Sequence, residues 1–200
     1  MPGKENPFVC IIIPFTRWNS LLDDCVQSVL NISYDNYVIT LLPDQKDEVP
    51  GHYKKSHRVT VIETQKSGIS FKRNLAIESF DQADFYACID SDAAADTNWI
   101  RSAIKAFESD RDIWLVGGPD IAPEYKDISW RVVANAERSV LVGGERAYRK
   151  KLSSSRYVED LRSSNLFIKR ECIESLGGFD ENLIAAEDVA LSRKVLQSGK

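Results

Sequence analysis

The sequence predicts an α/β fold, one domain built on a mostly parallel sheet with helices packed against it. Three observations carry that expectation. The apolar run Val9 to Ile13 is continuous and β-branched, as in a strand buried on both faces. It is followed by a segment with helical spacing of apolar residues, and the same strand-then-helix order recurs along the chain. At 200 residues and 43% hydrophobic content the chain is long enough for one sizeable core.

Pro14 is expected to stop the first strand. Ser20 is a plausible N-cap of the helix that follows, Asp23 and Asp24 suit its positive end, and Leu22, Cys25, Val26 and Val29 form its inward stripe. Further strands are expected near Val38 to Leu42 and Val59 to Glu63, a helix near Ser70 to Phe80, and a strand at Phe85 to Ile89. Next come a helix carrying Trp99, Ile100, Ala103, Ile104 and Phe107 and a strand at Trp114 to Val116. Parallel pairing with right-handed crossovers is the default for this order.

From Ile121 to Leu161 the pattern weakens. A helix is expected near Ile128 to Val142, and the basic stretch Glu145 to Arg156 reads as a mobile loop that closes over a ligand. The chain then gives a short strand at Asn165 to Ile168, a helix at Glu171 to Leu176 ended by Gly177 and Gly178, and a last helix from Glu187 to Gln197 ended by Gly199.

Composition removes several function classes. A net charge of -4, with 26 basic and 30 acidic residues spread along the chain, offers no polybasic stripe for nucleic acid. The four cysteines are far apart and read as reduced core thiols, not as a metal knuckle or a disulfide framework. No apolar stretch approaches the roughly 20 residues of a membrane span, and residues 1–8 lack a signal-peptide pattern, so a cytoplasmic protein is expected. Neither G-x-G-x-x-G nor G-x-x-x-x-G-K-[ST] occurs, which weakens dinucleotide and P-loop readings.

Ligands of open α/β sheets bind beyond the carboxyl ends of the strands, and three acidic positions stand there. Asp90-Ser91-Asp92 directly follows the strand at Phe85 to Ile89. Two hard carboxylates at that place can tether Mg2+ or Mn2+ and, through it, a diphosphate, although solvated turn aspartates have the same spacing. Asp44 follows the second strand, where a carboxylate can accept the imide N–H of a pyrimidine base or can simply serve a turn. Asp188 lies at helical spacing from Leu191 and Val195, which puts it on the inward face as a candidate general base or a helix-dipole partner. Gly68, Arg73 and Asn74 precede the strand that ends at Asp90; Arg73 is suited to pair with phosphate or to order the acidic cluster.

Taken in order, Val9 to Pro14, Gly68 with Arg73-Asn74, Asp90-Ser-Asp92, Asn165 to Arg170, Leu176 to Glu181 and Glu187 to Leu191 resemble the family 2 glycosyltransferases of GT-A fold. The resemblance spans about Phe8 to Gly199. It implies a Rossmann-like, mostly parallel central sheet flanked by helices with a smaller mixed region on the acceptor side. A nucleotide-sugar half at 1–118 and an acceptor half at 119–200 are expected.

By the same resemblance Pro14, Thr16 and Asp44 hold the nucleoside, and Arg73, Asp90 and Asp92 deal with diphosphate and metal. Gly68, Asn74 and Ser91 complete the expected nucleotide site. Asp188 is the expected base, with Glu187 contacting the acceptor or orienting that base. The implied activity is inverting, metal-dependent transfer of a sugar, with a UDP-sugar favoured, to a hydroxyl on a glycan, lipid-linked or other acceptor in polysaccharide or glycolipid synthesis.

Two departures qualify it. The family often has an Asn shortly after the first-strand Pro, whereas Phe15 to Trp18 intervene here before Asn19, and the Gln-x-x-Arg-Trp motif of processive synthases is absent. Members commonly continue past the last helix, so a C-terminally truncated chain is expected, with peripheral membrane association at the inner face through parts outside it. The competing readings are a non-catalytic nucleotide- or carbohydrate-binding module and a sugar-nucleotide pyrophosphorylase. The latter needs a Gly-rich first loop, and Pro14 to Trp18 contains no glycine.

Overall fold

The apolar run at the N-terminus forms the sheet's central strand, and both of its faces are covered. In the computed structural model, which describes residues 6–46, 48–65, 67–121, 149–150 and 154–200, β1 (Val9–Phe15) is buried along its whole length. It lies between β2 (Tyr37–Pro43) and β4 (Phe85–Ile89), parallel to both, and β3 (Val59–Val61) extends the sheet beyond β2. The order is β3-β2-β1-β4-β6-β5, with β5 at Leu115–Gly117 and β6 at Asn165–Lys169. Parallel pairing holds from β3 to β4. β6 departs from it, running antiparallel to β4 from Phe85 opposite Lys169 to Ile89 opposite Asn165.

Side chains alternate along β1 and sort the helices into two layers. Val9, Ile11 and Ile13 pack with α1 (Ser20–Leu30) and α4 (Trp99–Ser109). Cys10 and Ile12 pack on the other face with α3 (Ile69–Ser79), α5 (Arg170–Leu176) and α6 (Glu187–Gln197). Each fully buried Ile contributes about 1.5–3 kcal/mol of transfer free energy, which makes a strand rich in such residues a strong organiser. A four-residue helix, α2 (Gly51–Lys54), has no counterpart among the expected elements. The four cysteines are free and buried, as expected of core thiols, and burial pushes Cys10 up to about 12.

Two local expectations are corrected. Pro14 does not end β1, which continues through it to Phe15. Odd-numbered residues of β1 turn their amides toward β2, as Val9 does to the Asn36 carbonyl, so position 14 faces β4. Pairing with β4 ends at Ile12 opposite Cys88, and the N–H that proline lacks is not needed there. Nor is Ser20 the N-cap. Asn19 holds that place in extended conformation, and its Oδ1 accepts the Leu22 N–H at 2.9 Å, a cap contributing about 1 kcal/mol.

The described residues fall into two compact units, 1–116 with 159–200, and 117–158. The first unit thus takes in β6, α5 and α6, from beyond the expected half-boundary near 118. In the second, the Asp120 N–H donates to the Arg149 carbonyl at 2.7 Å. The expected helix at 128–142 and most of the expected loop at 145–156 lie outside the described residues. No helix among the described residues is long and apolar enough to cross a membrane.

Candidate functional site

Parallel strands bring their carboxyl ends to one edge, and the acidic positions gather there. Asp90 leaves β4 into a turn closed by the Ala93 N–H on the Asp90 carbonyl at 3.1 Å, with Ser91 and Asp92 between them. Asp90 keeps 44% of its side chain exposed and Asp92 is exposed, so both carboxylates reach solvent. The Asp90 carbonyl is held from below by the Cys25 thiol of α1 at 3.5 Å.

Arg73 of α3 is 1% exposed and is the hub beneath this turn. Its Nη1 donates to Glu187 Oε1 at 2.5 Å, its Nη2 lies 3.9 Å from Asp90 Oδ1, and its guanidinium stands over the Phe179 ring at 5.2 Å. A planar fork can serve two carboxylates at once, which an ammonium cannot do with the same geometry. Of the two roles open to Arg73, the structure places it against the acidic cluster. Glu187, 7% exposed, is its buried partner.

The inward stripe of α6 is Glu187, Leu191 and Val195, so Asp188 stands at its border and is half-buried. The Asp188 Oδ2 accepts the Ser163 N–H at 2.9 Å and its Oδ1 the Val189 N–H at 2.7 Å. Ser192 Oγ donates to the Asp188 carbonyl and accepts the Leu161 N–H, which ties the segment entering β6 to the first turns of α6. Cys88, one residue from the end of β4, registers the convergence. Its thiol is pushed up to about 11, chiefly by burial; Arg73 opposes this and Asp90, Glu187 and Asp188 add to it.

At the neighbouring strand ends Asp44, 12% exposed in its side chain, meets Lys72 of α3, whose Nζ lies 2.7 Å from Oδ1. Lys72 is itself buried and donates to the carbonyls of Phe15 at 2.7 Å and Leu42 at 3.1 Å. Burial raises the Asp44 carboxyl, but the Lys72 hydrogen bond and charge, the Thr16 hydroxyl and the Ser67 N–H together hold it below the ordinary carboxylate range. Thr16 is exposed just beyond β1, and Pro14 is buried within it.

Gly68 is exposed at the N-cap of α3, with an ordinary φ of −63° and nothing within 4 Å of where a Cβ would stand. Asn74 is committed within the protein. Its Nδ2 donates to the Phe179 carbonyl and to Glu181, and its Oδ1 accepts the Phe179 N–H, each at 2.8 Å. A Cβ on Gly178 would fall 2.3 Å from Asn74 Oδ1, which explains a glycine there. Sequence reasoning missed Lys72. Its signal was present: Lys72 and Arg73 fall at helical spacing with Ile69, Ala76 and Ile77, where apolar residues belong.

Residues 10–161 match the model of glycosyl transferase family 2. The chain belongs to glycosyl transferase family 2. Two relatives come from Haloferax volcanii. A glucosyl-dolichyl phosphate glucuronosyltransferase is 25% identical over 197 residues, covering 90% of this chain and 56% of that protein. Glycosyltransferase AglE is 24% identical, covering 96% and 62%. The chain therefore spans only about three-fifths of the curated relatives it matches.

Among solved structures, the mannosyltransferase PcManGT of Pyrobaculum calidifontis, in complex with GDP-Man and Mn2+, superposes with a TM-score of 0.67 at 16% identity, covering 97% of this chain and 53% of its own. S. aureus TarS (1–349) gives 0.62 at 14%, covering 94% and 55%. At these identities the likeness is one of fold, and that fold is the GT-A α/β architecture expected of family 2.

Proposed function

We propose that the protein transfers a sugar from a nucleoside-diphosphate sugar to an acceptor hydroxyl, with inversion and with a divalent cation. One observation carries this reading: Asp188, oriented by the Ser163 N–H, stands at the same sheet edge as the Asp90–Asp92 turn, both joined to the Arg73–Glu187 pair beneath.

The donor set suits Mg2+ or Mn2+, which take one or two carboxylates and complete their shell with water and phosphate oxygens. Asp90 and Asp92 are such a pair, solvent-facing on one turn, and no cluster of three or more metal-binding side chains occurs among the described residues. When bound, the cation would neutralise charge on the departing diphosphate.

The protein's own residues supply the rest. Asp188 accepts the proton of the acceptor hydroxyl as its oxygen forms the bond to the anomeric carbon. The bond to the diphosphate breaks on the opposite face, which inverts the configuration. Arg73 and Glu187 brace Asp90 and the first turn of α6. Asp44 accepts an N–H from the nucleobase, and Thr16, Pro14, Ser91 and the open backbone at Gly68 border the nucleotide. The glucuronosyltransferase relative, whose name places its action on glucosyl-dolichyl phosphate, supports a lipid-linked acceptor. PcManGT is the reason to test guanosine donors beside uridine ones.

The test is calorimetric titration of the chain with UDP, dTDP, GDP and ADP, with and without Mn2+. Selective, Mn2+-strengthened binding of one or two of them is expected. Equal binding of all four without any effect of metal would remove the reading.

A further inference from the structure

We propose that Lys72 determines nucleobase choice: by holding Asp44 against the ends of β1 and β2, it keeps that carboxylate a fixed hydrogen-bond acceptor and so favours donors whose base presents a ring N–H on its pairing edge. This rests on the reading that Asp44 faces the nucleobase.

Lys72 Nζ donates to the Phe15 carbonyl at 2.7 Å and the Leu42 carbonyl at 3.1 Å, and forms an ion pair with Asp44, 2.7 Å from its Oδ1. It is 4% exposed, so it is a fixed part of the wall and not a side chain free to reach a phosphate. The Phe15 carbonyl also accepts the Asp44 N–H at 3.1 Å, so one ammonium pins the backbone and the carboxylate of the same residue.

An ionised carboxylate only accepts. Uracil, thymine and guanine present a ring N–H on the edge they use for pairing, whereas cytosine and adenine present there a bare ring nitrogen, itself an acceptor, beside their amino group, so a carboxylate facing the ring position is repelled. Without Lys72, Asp44 loses the cation that holds it against the ends of β1 and β2, its carboxylate is no longer fixed where a ring N–H would meet it, and the discrimination would relax.

Two matched pairs of probes read this directly: UDP against CDP, and GDP against ADP. In the unaltered protein the member with the ring N–H, UDP or GDP, is expected to bind tighter in at least one pair. Lys72→Met should shrink that ratio by roughly 10- to 100-fold, the worth of one hydrogen bond to a charged group. A purely structural lysine would weaken both members alike and leave the ratio unchanged.

Lys72→Gln, which keeps an N–H donor for a strand carbonyl while removing the charge, carries the same test if Lys72→Met fails to fold. Asp44→Asn separates the two layers of the inference. If Asp44→Asn shrinks the ratio but the Lys72 variants do not, Asp44 reads the base and Lys72 does not govern it. If neither residue moves the ratio, or the unaltered protein shows no preference within either pair, Asp44 does not face the base and both ideas fall.

Discussion

Arg73 of α3 and Glu187 of α6 lie 114 residues apart in sequence and form a buried ion pair, Nη1 to Oε1 at 2.5 Å. The pair fastens the helix that carries Asp188 in its first turn to the helix that runs into β4, at the edge where Asp90 emerges. Removing one partner leaves a charge stranded in the interior. Arg73→Met is therefore expected to destabilise the protein by about 3–5 kcal/mol, and the double variant Arg73→Met/Glu187→Gln by clearly less than the sum of the single changes. Urea unfolding of the four proteins checks this, and strict additivity would contradict it.

Asp188→Asn should keep nucleotide affinity and fold while lowering transfer by about 100- to 10,000-fold. The amide retains an oxygen for the Ser163 N–H, so the orientation seen at 2.9 Å can persist. Single-turnover transfer beside calorimetry separates the two effects, and undiminished transfer would remove Asp188 from the base role.

Asp92→Ala should leave the fold intact, because its side chain is exposed, and should abolish the Mn2+-dependent part of nucleotide binding. Unchanged affinity in Mn2+ would place the cation elsewhere.

Gly178→Ala should cost about 1–3 kcal/mol, since the added methyl would lie 2.3 Å from Asn74 Oδ1 and must displace an amide that makes three hydrogen bonds. Once Asn74→Ala has removed that amide, Gly178→Ala should cost much less. Thermal melts of the single and double variants give the comparison.

Acid should weaken the protein partly through Asp44. Its folded carboxyl sits below the unfolded value of about 3.9, so the stability it contributes is complete above that value and is lost as pH falls through the lower, folded one. Asp44→Asn should flatten stability against pH in that acid window and nowhere near neutrality. An unchanged acid limb would count against the Lys72–Asp44 pair as its source.

The α/β class and most element positions were legible because strands buried on both faces announce themselves by unbroken apolar runs, as at Val9 to Ile13 and Phe85 to Ile89. The last helix was found at its observed bounds, Glu187–Gln197. What escaped depends on partners remote in sequence. Nothing local to Pro14 tells that β4 stops pairing before reaching it, and nothing near Asn165 tells that β6 enters between β4 and β5 in the opposite direction. The acidic positions were visible as residue types. Arg73 was legible too, but Lys72 beneath Asp44, and the use of Asn74 as a clasp on residues 178–181, became evident only once α3 was seen against the strand ends and the Gly178 turn.

The place of β6 has a consequence for biosynthesis. Because it separates β4 from β5, a nascent chain that has emerged only through Gly117 has no strand to put beside the β4 edge, and β5 has no hydrogen-bonded neighbour. Residues 165–169 must leave the ribosome before that side of the sheet can close, and Ser163, two residues ahead of them, is the group that orients Asp188. Until then the growing polypeptide exposes an unpaired strand edge, the feature that chaperones shield on incomplete sheets. Presentation of the proposed base comes later still, because Asp188 follows β6 in the chain and meets the Ser163 N–H only after it has emerged in turn.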